Sequence, residues 1–422
     1  MSDEESLWIV LPTGQQAGGG WIDDTLKQRA DEQGLLAKVP LAAQFPRQRI
    51  EVVRGSEADE RVQELFLRRG WSDGLPVVPP TVARVKAMLA FTDHAPGEVL
   101  GEVEPLKGLA TVEKIVANAV MAGCRPEYLP VVLAAVDGLL DTDFNLRGVQ
   151  TTDENVTPLI VVNGPVAREL DINARFGALG TGWQANATIG RAIRLVMHNL
   201  GGGWPGAVAF AGLGQPGRYT LCLAENEGQS PWSPLSIEAG LSVEAGAVTL
   251  MRAESVINVT GGLAEIASVM GTAASGFGIL WSGRPTVLLA PAVATECAHR
   301  GMSKDDVRRY LWQHGRWRRD DWQASWLTER IVVGRRWPDW VEQAASAGDI
   351  PAARTPDDIV IVVAGGDIPI PQNAYCPSWG FPPARITREI RLPAEWPELL
   401  AEAKEASDSL AGTRTTRSAQ GS

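Results

Sequence analysis

Cysteine and histidine are both scarce in this chain, and neither is grouped. The four cysteines, Cys124, Cys222, Cys297 and Cys376, form no C-x-x-C pair, which argues against a disulfide framework and against iron–sulfur or zinc-ribbon sites and fits reduced thiols in a cytosol. The four histidines, His94, His198, His299 and His314, fall at no metal-ligand spacing. No Walker A loop, G-x-S-x-G nucleophile elbow or H-E-x-x-H pair is present. No cofactor is expected, although a carboxylate-bound divalent metal stays open. Positive charge is in deficit as well: the formal net charge is -11 and the isoelectric point about 5.1, so there is no field to draw nucleic acid or an anionic membrane. No apolar run approaches the ~20 residues of a membrane span, and the acidic start lacks the basic residues of a secretory signal. The expectation is a cytoplasmic protein with neither nucleic acid nor membrane as a partner.

What is present is an ordinary globular composition, 45% hydrophobic and 21% charged, in a chain of 422 residues that is too long for one common core. Short β-branched runs bounded by Pro and Gly alternate with helix-length stretches. That pattern predicts an α/β fold with two related lobes, whose mostly parallel or mixed sheets are flanked by helices. Strands are expected at 75–78, 158–162, 219–223, 248–251, 285–290 and 358–363, and helices at 112–123, 127–140, 186–200 and 303–313. Residues 1–55 read as an N-terminal extension, 56–205 as a first lobe, 206–395 as a second, and 403–422 as a mobile polar tail. An internal echo links residues 158–169 to 285–296, which share length, apolar pattern and a closing Val-Ala-x-Glu. Between residues 308 and 340 six tryptophans interleave with eight arginines, the composition of two amphipathic helices or of a subunit interface.

Candidate chemistry falls on two helix stripes and one loop. Lys114, Asn118 and Arg125 share one face at spacings of four and seven, suited to holding a carboxylate or phosphate. Arg191, Arg194 and His198 share another, with Arg191 as an anion ligand and His198 as a group titrating near neutrality. Cys124 ends the first helix beside Arg125, and neighbouring cations favour a thiolate nucleophile. The strand ending at residue 223 leads into Glu225-Asn226-Glu227, where paired carboxylates can raise one another's pKa for acid–base work, while Asn226 and Trp232 offer a hydrogen-bonding group and a flat apolar wall. Asn163, at the end of its strand, and Asn186, opening its helix, join the candidate substrate contacts.

The stretches 71–81, 110–128, 186–191, 224–232 and 303–307 together resemble a poorly characterised bacterial family that accompanies, or is fused to, UGSC-motif proteins. The resemblance spans about residues 60–390. Those companions carry Cys or selenocysteine before Gly-Ser-Cys, a setting similar to the selenoprotein subunits of glycine-reductase-type enzymes. The resemblance implies thiol or selenol chemistry on a small molecule, shared with a UGSC-type partner protein. This chain has no such motif itself, and it departs from the family at residues 365–376. Three readings follow. The first is an enzyme, or subunit of one, that binds a small anionic substrate and cleaves a carbon–heteroatom bond reductively or by elimination with Cys124 or a partner's thiol. The second is a thiol-independent lyase, hydratase or hydrolase using Glu225 and Glu227. The third is a non-catalytic scaffold that binds a partner protein. A homo-oligomer is the default assembly.

Overall fold

In a computed structural model the described residues are 58–332 and 338–418, so the expected N-terminal extension and Arg335, Arg336 and Trp337 lie outside them. The fold is α/β, with two four-stranded mixed sheets at its centre and two short antiparallel pairs outside them, β1 (Val99–Val103) with β2 (Gly108–Thr111) and β8 (Arg316–Trp317) with β9 (Ile350–Pro351). In the first, β3 (Thr157–Asn163) lies between β4 (Cys222–Ala224), parallel to it, and β5 (Ala247–Ala253), antiparallel; β12 (Ile386–Glu389) closes the sheet beside β5. In the second, β7 (Thr286–Leu289) lies between the parallel β10 (Val360–Val363) and the antiparallel β11 (Gln372–Cys376), and β6 (Ile257–Thr260) closes it beside β11. Each sheet therefore has one parallel pairing and two antiparallel ones. Of the mostly parallel or mixed sheets expected, both are mixed: after each parallel pair the chain returns antiparallel before it leaves the sheet.

Strand alternation sets four layers. Leu159, Val161, Leu223 and Met251 of the first sheet pack face to face on Leu288, Val360, Val362 and Cys376 of the second. The opposite faces turn to helices. Ile160, Val162, Val248 and Leu250 meet the helices Val112–Ala122, Leu129–Leu139 and Gln184–Asn199, while Val287, Leu289, Ile361 and Val363 meet Leu263–Met270, Pro291–His299 and Lys304–His314. Strands buried on both faces read as continuous apolar runs, which is why β3, β5, β7 and β10 are visible in the sequence.

The internal echo falls on equivalent strands. Aligning Ile160 with Val287, as the echo does, brings the registers into step: Ile160 pairs with Cys222 and Leu250, and Val287 pairs with Ile361 and Tyr375. The equivalence runs on to Ile386 opposite Leu250 and Ile257 opposite Tyr375. In chain order the last strand of each set, β6 and β12, joins the other set's sheet. A boundary at 205/206 is thus corrected, since it would separate β3 from β4 and β5, its neighbours on either side.

Other expectations shift locally. Residues 75–78 form no strand, and residues 403–418 continue the helix Trp396–Ser418 where a mobile tail was expected. In the Trp/Arg segment, Trp317 and Trp322 pack with Ile279, Leu280, Val341 and Ile350 in a small core of their own, edge to face at 5.0 Å, while Trp326 is exposed. No single helix among the described residues is long and apolar enough to cross a membrane.

Candidate functional site

The strands β3 and β4 run side by side and end together, so their following residues meet at one edge of the first sheet. Asn163 closes β3 and is fully buried. Its amide Nδ2 donates to Glu225 Oε2 at 2.8 Å and to Glu227 Oε1 at 3.0 Å, using both of its hydrogens on the two carboxyl groups that leave β4. Gly164 adds its backbone N–H to Glu227 Oε1 at 2.7 Å. It sits at φ +89°, and a Cβ there would lie 2.5 Å from the carbonyl oxygen of Ala245, so only glycine fits this approach. Glu227 Oε2 faces Arg168 at 3.6 Å.

The two carboxyl groups differ in exposure and so in role. Glu225 has no exposed side-chain surface. It accepts the Leu235 N–H at 2.9 Å and has the Lys304 ammonium at 3.7 Å. Burial pushes its pKa up more than Lys304, the Leu235 N–H and Asn163 bring it down. Lys304 is itself buried, and donates to Ser233 O at 3.0 Å and to Glu238 at 2.6 Å. Glu238 is raised by burial but brought below its ordinary value by Lys304 and Arg308. Glu227 is the carboxylate with open surface. It lines a pocket of about 690 Å³ together with Arg168, Asp171, Asn173, Arg175 and Trp183, a volume in the range of small-molecule sites.

The far wall is the loop between Pro165–Glu169 and Gln184–Asn199. Asn186 fixes it: its Oδ1 accepts the Asn173 N–H at 2.8 Å, and its Nδ2 donates to the carbonyls of Asn173, Ala178 and Cys222. This corrects Asn186 from a substrate contact to the residue that holds the wall. Asn226 lines the pocket, yet its amide donates to Gln229 Oε1 at 2.7 Å and its N–H ties the loop to Val363 O.

The remaining candidates are elsewhere. Trp232 does not line the pocket; its indole donates to Met302 O at 3.2 Å and it packs on the second sheet's helical core. Cys124 is half-buried and donates to Thr188 O, and burial pushes its thiol up to about 12, against Thr188 and Arg191, which lower it. The expected thiolate is therefore corrected: desolvation outweighs the nearby cations. Asn118 is buried and hydrogen-bonded to Asn199 at 2.7 Å, Lys114 donates to Leu109 O, and Arg125 pairs with Glu127 and Ser407, so the first stripe forms helix contacts and does not assemble an anion site with Arg191. Arg191 is taken by Asp73 through two 2.8 Å hydrogen bonds. His198 packs edge-on against Trp204 in a different cavity, and burial, with Arg194, pushes its pKa down to about 4 against Asp73, so it is neutral near pH 7. The stripe that shares Arg191 and His198 is real, but it lies away from Glu227.

Sequence reasoning missed Lys304, Glu238, Arg168 and the 170–183 wall. Gly177, Gly180 and Gly182 marked that wall as an irregular loop, and the Lys304 partnership joins residues 79 apart in sequence, which no local pattern carries. Among the described residues no group of three or more His, Cys, Asp or Glu side chains is placed to hold a metal ion. Comparisons of the chain with protein-family models, with curated proteins and with solved structures find no match.

Proposed function

We propose that this chain is a thiol-independent acid–base enzyme, a lyase or hydratase acting on a small polar organic substrate in the pocket beside Glu227. One observation carries the reading: a partly open carboxylate that lines the pocket is held by Asn163 and the Gly164 N–H, and the same Asn163 amide donates to a second, buried carboxyl, Glu225. In this reading Glu227 takes or returns the proton, since it is the member of the pair with surface to offer. Glu225 is a positioning residue: it shares Asn163 and, through its own ionisation, sets the charge felt by Glu227. Arg168 and Arg175 at the rim suit a substrate carboxylate. Cys124 takes no part, and any thiol or selenol step belongs to a partner chain of the UGSC type.

The test is proton exchange. The full chain is incubated in D₂O with a panel of small hydroxy- and amino-carboxylates and their unsaturated counterparts, and C–H signals are followed by NMR. Exchange or interconversion of a panel member is expected, with Glu227→Gln reducing it at least a hundredfold and Cys124→Ser leaving it within twofold. Loss of the activity in Cys124→Ser, or its survival in Glu227→Gln, overturns the assignment.

A further inference from the structure

At the other end of β3 from the carboxylates lies a second cavity, of about 560 Å³, which shares no lining residue with the first. Thr157 and Asn163 are separated by six strand steps, roughly 20 Å at the rise of a β-strand. Three charged groups line the second cavity, Asp73, Arg194 and Arg218, together with the neutral imidazole of His198.

Charge decides what this cavity is suited to hold. The Asp73 carboxylate is spent on Arg191, whose Nε and Nη2 both reach it at 2.8 Å. Arg194 donates to the Thr157 hydroxyl at 2.8 Å and Arg218 to the Glu154 carbonyl at 3.0 Å, and neither forms an ion pair with a carboxylate among the described residues. Two guanidinium groups are thus left in one cavity without a counter-charge. Burial, with the nearby Arg218, pushes Arg194 down to about 9. Arg218 Nε and His198 Nε2 are buried without a hydrogen-bond partner, and a buried polar atom left unpaired costs about 1–3 kcal/mol. Leu213, which is 91% exposed, Pro216 and Tyr219 give the same cavity an apolar lip.

We infer that this cavity is a second binding site, for a small organic oxyanion with an apolar body. Arg194 and Arg218 hold the oxyanion as charge-assisted donors, His198 Nε2 supplies a further N–H, and Leu213, Pro216 and Tyr219 cover the organic part. Carboxylates and phosphate monoesters share that chemistry. The site goes beyond the acid–base reading and stands on residues that reading does not use.

The experiment titrates the ¹⁵N-labelled full chain with benzoate, phenyl phosphate and inorganic phosphate, reading the imidazole signals by NMR and the affinities by calorimetry. Benzoate or phenyl phosphate is expected to move the His198 signal saturably while His94, His299 and His314 stay in place. Arg218→Gln is expected to weaken that binding at least tenfold. Because Arg218 sits in a partly exposed turn, its variant tests the site even where Arg194→Gln fails to fold. An unmoved His198 signal at millimolar benzoate and phenyl phosphate overturns the proposal, as does full affinity in Arg218→Gln. Equal affinity for inorganic phosphate and phenyl phosphate overturns the apolar part of the assignment.

Discussion

Where β4 ends, the first sheet continues into Glu225, Asn226 and Glu227; at the matching point after β10 the second sheet continues into Ala364, Gly365 and Gly366. The strands before these points are interchangeable in kind, apolar and in the same register. The residues after them are not. The first set gives carboxylates, and the second gives room: the Asn226 N–H donates to Val363 O, the Gly365 N–H to Ala174 O, and a Cβ on Gly366 would run into the Phe176 ring. One strand end thus presents the chemistry, and its counterpart buttresses the wall opposite. The apolar period fixes the frame in both sheets, while the polar groups offered at each strand end depend on two or three residues just beyond it.

The largest expected effect comes from removing the cation that the carboxylate-bearing end depends on. Lys304→Met leaves the buried Glu225 without its cation, while Glu238 keeps Arg308 and Arg385, and breaking such a buried pair costs about 3–5 kcal/mol; a loss under 1 kcal/mol in urea unfolding would mean that the cluster does not sustain the site. A smaller effect follows from making the end of β3 like the end of β7, where Ala290 stands in place of Asn163. Asn163→Ala removes the donor shared by both carboxyl groups at a cost of about 1–3 kcal/mol, and the activity proposed above should fall with it; unchanged activity would show that Glu227 is held by Gly164 alone. The smallest concerns the exchanged strand β12, which Arg388 ties to Asp137 and Asp141 at 2.7 and 2.6 Å. Asp141→Asn should cost about 0.5–1 kcal/mol at neutral pH. The Arg388 hydrogen bond holds the Asp141 carboxyl below its ordinary 3.8, with burial opposing. Its contribution is therefore complete above that unfolded value and disappears as pH falls through the lower folded one. Stability curves of parent and variant should converge in that acidic window, and a constant gap down to pH 2 would remove the ion pair as the cause.

The legible parts of the fold were those with a short-range signature. Thr111 caps the helix Val112–Ala122 by accepting the Lys114 N–H, and Gly123 ends it at φ +88°, both as expected from residue type. The runs of β3, β5, β7 and β10 were plain because both faces are buried. The strands β6, β11 and β12 were not read, since Asn258, Thr260, Asn373 and Thr387 interrupt the apolar pattern where the strands approach a sheet edge or a buried hydrogen bond. For the site, the Glu225–Glu227 loop was legible as a strand-end cluster. The helix stripes misled because spacing says which side chains share a face but not what already faces them: Asp73, Asn199 and Glu127 had taken Arg191, Asn118 and Arg125.

The crossing of β6 and β12 also bears on how this chain comes apart. A cut in the connection between β6 and β7 would give two fragments of which neither owns a complete sheet, since each carries the other's closing strand. The pieces would be obligate complements, and separately each would expose an unpaired edge on β5 or β11. The two halves, different in the groups their strand ends carry, are therefore expected to unfold in a single transition.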